Sequence, residues 1–249
     1  MLISSAIISL KACLPVFWFI SFVYILRPPG SGFKRLFVLS STIILALVGS
    51  NMTQFVTLLP LDSLEWFYSF SVILALLASF RYFAHPNRRV NQRTLGVIVL
   101  ASVLVHLPQS MSLGLYVLTN SLAPKTSMAS LMTGLSLGAL VSLALSVCWY
   151  LLAVYVLSSR YLVWVMLCLF SAGRVLLIEQ WIAQIGWLTW VEPMLDMNQW
   201  FNETSVFGAL IHTLLGINAT LSAVGLSVYL LVLVLGGMWL WHQTRPLRN

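Results

Sequence analysis

The sequence predicts an all-α integral membrane protein with seven transmembrane helices, and three observations carry that prediction. First, 60% of the 249 residues are hydrophobic and only 8% are charged, against about 25% charged in a soluble domain. Second, seven apolar runs each reach the roughly 20 residues that a helix needs to cross a bilayer. Third, lysine and arginine gather in alternate gaps between those runs, the pattern that sets orientation in a membrane.

The runs extend from Leu2 to Leu26, Leu36 to Leu59, Glu65 to Ala84, Thr94 to Thr119, Ser127 to Leu157, Tyr161 to Leu188 and Val206 to Trp241. The first lacks a charged leader and a small-residue cleavage site, so it reads as a retained helix rather than a signal peptide. The last is long enough to hold a short interfacial helix before the span proper, with a break near Gly216–Asn218. Arg27, Lys34 and Arg35 fill the first gap, Arg81, Arg88, Arg89 and Arg93 the third, Arg160 the fifth, and Arg245 and Arg248 the tail. The second gap carries Asp62 and no base, the fourth only Lys125, and the sixth Glu192, Asp196 and Glu203 with no base. The reading is an N-terminus outside and a C-terminus inside, in a single polytopic domain over 1–249; in a bacterium this is the inner membrane.

This placement of the bases also accounts for the net charge of +7 without a nucleic-acid partner. Cys13, Cys148 and Cys168 each lie within an apolar run and form no CxxC; buried thiols of this kind behave as small hydrophobes.

Ionisable groups inside a membrane are costly and mark functional hypotheses. The runs hold Lys11, His106, Arg174 and Glu179. Arg174 and Glu179 are five apart, so they point about 140° apart on a helix and each requires a partner on another element. Lys11 with Glu179 is one pairing; a structural ion pair or a side chain snorkelling to the interface are the alternatives. His106 stands alone and reads as a hydrogen-bonded core histidine rather than a metal ligand. No HExxH and no nucleophile–base pair occur, so no enzyme activity and no cofactor is expected.

Pro15 and Pro108 fall inside runs one and four, where each removes a backbone hydrogen bond. They are expected to break both helices. A matching break in two halves of opposite direction is the mark of an inverted repeat with a midplane site. This gives a three-plus-three-plus-one plan: repeat one over about 1–90, repeat two over about 91–190, an outer loop over 189–207 and a final helix over about 208–241. The outer loop, with Trp187, Trp190 and Trp200, suits a solvated stretch at the membrane–water interface. Its acids, Glu192, Asp196 and Glu203, could attract cations.

The C-terminal third reads "LDMNQWFNETSVFGALIHTLLGINATLSAVGLSVYLLVLV". An Asp-led stretch precedes Ser-x-x-Gly, a short helix, a glycine turn and a last span, at Asp196, Ser205, Gly208 and Gly216. "LFSAGRVLL" adds a small-residue pair at Ala172 and Gly173. In these segments the chain resembles the high-affinity iron permeases, the oxidase-dependent iron transporters of fungi and bacteria. The resemblance implies two Arg-Glu-Gly-Leu-Glu motifs, whose glutamates suit a hard cation because carboxylate oxygens supply both ligands and charge. Here the first copy reads "KACLP", with Lys11 at the arginine and Ala12 and Pro15 at the glutamates. The second reads "PQSMS", starting at Pro108, with Gln109 and Ser112 at the glutamates. Gln184 stands where the family often has an acid.

The function expected is therefore a divergent iron-permease-like transporter whose carboxylate ion site has been lost or replaced. Lys11, Gln109, Ser112, Glu179, Arg174 and His106 are its candidate path, with iron as a possible cargo. The alternative is a non-transporting membrane subunit that anchors a periplasmic metal- or electron-handling protein.

Overall fold

The computed structural model describes residues 2–26, 61–83, 92–121, 127–157, 160–186, 193–198, 205–217 and 219–244. About 90% of this is helical. The helices are α1 (Leu2–Leu26), α2 (Leu61–Phe83), α3 (Gln92–Ser121), α4 (Met128–Leu151), α5 (Arg160–Gln184), α6 (Val206–Leu215) and α7 (Ala223–Thr244). A π-helical stretch, Leu152–Leu157, prolongs α4. The run expected over Leu36–Leu59 lies outside the described residues. Among those described, three helices are long and apolar enough to cross a membrane: Leu2–Leu26, Met128–Val156 and Tyr161–Gln184. The apolar parts of α2 and α7, Glu65–Phe80 and Ala223–Trp239, are shorter.

The chain forms two compact units, Met1–Leu152 and Ala153–Asn249. In unit one, α1 packs along α4, and α2 along α3. The α1–α4 seam is built from small residues. A Cβ on Gly134 would collide with Ser5 Oγ, and one on Gly138 with the Ala6 carbonyl and the Ser9 side chain. Backbones approach this closely only where both helices carry small side chains. Ser9 Oγ donates to the Leu135 carbonyl at 2.7 Å, Ser21 Oγ to that of Ser146 at 3.2 Å and Ser142 Oγ to that of Leu10 at 3.5 Å. Interhelical bonds of this type contribute about 0.6 kcal/mol each, so close van der Waals packing does most of the holding. At the end of the seam, Trp18 stacks on Trp149 with centroids 5.0 Å apart, and Phe22 meets Trp149 edge-on. Contact positions rise together on both helices, from Ser5 with Gly134 to Trp18 with Trp149, so α1 and α4 run parallel.

In unit two, α5 packs against α6 and α7. Glu179 and Leu176 meet Gly225, while Cys168 meets Gly236. Numbers fall on α5 as they rise on α7, so these helices are antiparallel. Two short strands, β1 (Pro193–Asp196) and β2 (Thr220–Ser222), pair antiparallel, with Asp196 opposite Thr220 and an irregularity between Pro193 and Leu195.

Three expectations change. Pro15 does not break α1, which is helical throughout. α3 likewise runs through position 108 without a break. A proline removes one bond and crowds one carbonyl, and in a packed, apolar helix the remaining bonds keep the helix continuous. The sixth gap is not only loop, since part of it pairs with the chain before α7. One expectation holds: the seventh run divides into α6 and α7 near Gly216, and α6 ends there with a left-handed φ of 67°, where glycine avoids the Cβ penalty.

Candidate functional site

Two predicted site residues, Arg174 and Glu179, lie on α5, and they face two different neighbours. Arg174 is buried, 2% exposed. Its Nη2 donates to the Thr213 carbonyl at 2.8 Å, and its guanidinium lies over the Phe170 ring, 5.1 Å from the centroid. Thr213 is in the last turn of α6, where carbonyls have no intrahelical donor and the helix dipole is negative. A guanidinium there satisfies both the hydrogen bond and the dipole. The approach is close because Gly173 abuts Gly216: a Cβ on Gly173 would lie 2.7 Å from the Gly216 Cα.

Glu179 accepts a hydrogen bond from Ser222 Oγ. Ser222 immediately precedes α7, and its hydroxyl accepts from the Gly225 amide at 2.8 Å. It therefore caps α7 at the third helical residue. The carboxylate sits at the positive end of that helix, where the dipole favours negative charge. Arg174 and Glu179 of α5 thus serve opposite ends of two other helices. Lys11, the pairing considered for Glu179, belongs to unit one.

The residues that carry the permease resemblance hold local structure. Ser205 caps α6 by accepting from the Gly208 amide at 3.0 Å. Gly216 ends α6, and Ala172 lies in a buried cluster with Leu176, Leu221 and Tyr229. Asp196 is exposed and accepts from the Asn198 amide at 2.9 Å. At the degenerate first motif, Ala12 and Pro15 are buried and Lys11 is half-buried; in the second, Ser112 is exposed. The side chains of His106, Pro108 and Gln109, and residues Glu192 and Glu203, lie outside the described residues. Gln184 is exposed at the end of α5.

One feature escapes a search for ionisable residues, the seam: Gly134, Gly138, Ser142 and Ser146 recur every four residues opposite Ser5 and Ser9, a small-xxx-small signal present in the sequence. Glu65, at the boundary of the third run, is not among the predicted site residues; its Oε2 is buried without a hydrogen-bond partner among the described residues. Among the described residues no group of three or more His, Cys, Asp or Glu is placed to hold a metal ion. No protein-family model, no curated protein and no solved structure matches the chain.

Proposed function

We propose that this is a seven-span protein of the bacterial inner membrane, N-terminus outside and C-terminus inside, acting as a divergent iron-permease-like transporter that has lost the family's carboxylate ion site. The observation that carries the transport reading is the break between α6 and α7, where the chain leaves one helix at Gly216 and enters the next after Ser222. It begins against Gly173, near the middle of α5, and ends against Glu179. Irregular backbone at such depth is tolerated in a membrane only where protein buries it or it lines a water-filled cavity, and discontinuous helices of this kind build transporter sites. The alternation of spans draws support from the parallel α1 and α4, as spans one and five must be, and from the antiparallel α5 and α7; the side of the N-terminus rests on the lysine and arginine pattern alone. With Lys11, Ala12, Pro15 and Ser112 at motif positions, the path lacks the ligands that strip and hold a bare iron ion.

The second reading, a non-transporting subunit that anchors a periplasmic partner, is favoured by the burial of Ala12 and Pro15, where packing fills the first motif. Uptake of radiolabelled iron and manganese by cells expressing the chain separates the two. Transport predicts accumulation above cells without the protein, altered by Lys11→Ala. No accumulation of any solute by the expressed parent, with periplasmic partners supplied, sinks transport and leaves the anchor.

A further inference from the structure

We draw no further inference here: the strongest candidate, the buried Ser146 hydroxyl and Trp149 indole nitrogen at the aromatic end of the α1–α4 seam, which find no hydrogen-bond partner among the described residues, carries nothing, because nothing in the structure shows a space beside them or what would fill it.

Discussion

Arg174 gives the sharpest energetic prediction. Its guanidinium is buried, bonded to the Thr213 carbonyl and stacked on Phe170. Arg174→Met keeps an unbranched side chain of similar length but leaves that carbonyl without its donor, at about 1–3 kcal/mol. It also removes a cation from a helix C-terminus, a contribution of up to about 2 kcal/mol in buried geometries. Relief of the desolvation cost acts the other way. It offsets only part of the loss, because guanidinium is the more weakly hydrated cation. The net expectation is a loss of about 2 kcal/mol, which for a chain of this size lowers Tm by roughly 4–8 °C. Arg174→Lys keeps the charge but loses the planar fork and the stacked face, so it should fall between. The assay is thermal unfolding in detergent, followed by a thiol-reactive dye on the buried Cys168 with Cys13 and Cys148 changed to alanine. A Met variant as stable as the parent, or a Lys variant no better than Met, refutes the counter-charge account.

Gly138→Val drives a side chain into the Ala6 carbonyl and Ser9; overpacking of this kind costs about 1–3 kcal/mol. Thermal unfolding in detergent, followed by a thiol-reactive dye on the half-buried Cys13 of α1 with Cys148 and Cys168 changed to alanine, should show that loss, as Gly96→Val, which meets open space, should not. Ser222→Ala removes both the α7 cap and the Glu179 partner, so it should cost more than the roughly 1 kcal/mol of an ordinary cap, measured by the Cys168 dye assay; Glu179→Gln, which still accepts from Ser222, should cost less. Gly216→Ala places a Cβ against Gly173 in a left-handed turn and should loosen α6, seen as faster hydrogen exchange over Val206–Leu215.

Much of unit two was legible in the sequence for physical reasons. Gly216 within an otherwise unbroken run marks a helix end because glycine alone takes a left-handed φ cheaply. The five-residue spacing of Arg174 and Glu179 excludes a mutual pair on one helix. What spacing could not reveal is that their partners are a helix C-terminus and a helix N-terminus. Thr213 serves through its backbone carbonyl, which has no side-chain signature, and Ser222 through a hydroxyl, which charge does not flag. Pro15 misled for a related reason: proline reads as a break from sequence, yet a helix packed on both sides of the lost bond stays continuous. The α1–α4 seam was legible in its four-residue spacing of glycine and serine, but these residues carry no charge and so do not stand out among ionisable candidates. The β1–β2 ladder depends on which chain segment returns to meet it, and Asp196 and Thr220 are 24 residues apart in the sequence.

The proposed topology is a chain that crosses the membrane an odd number of times, beginning outside and ending inside. Small epitope tags at the two ends test it most directly, by antibody access in intact and permeabilised spheroplasts. The account predicts an N-terminal tag reached in intact spheroplasts and a C-terminal tag reached only after permeabilisation. Both tags reached from the same side would contradict it.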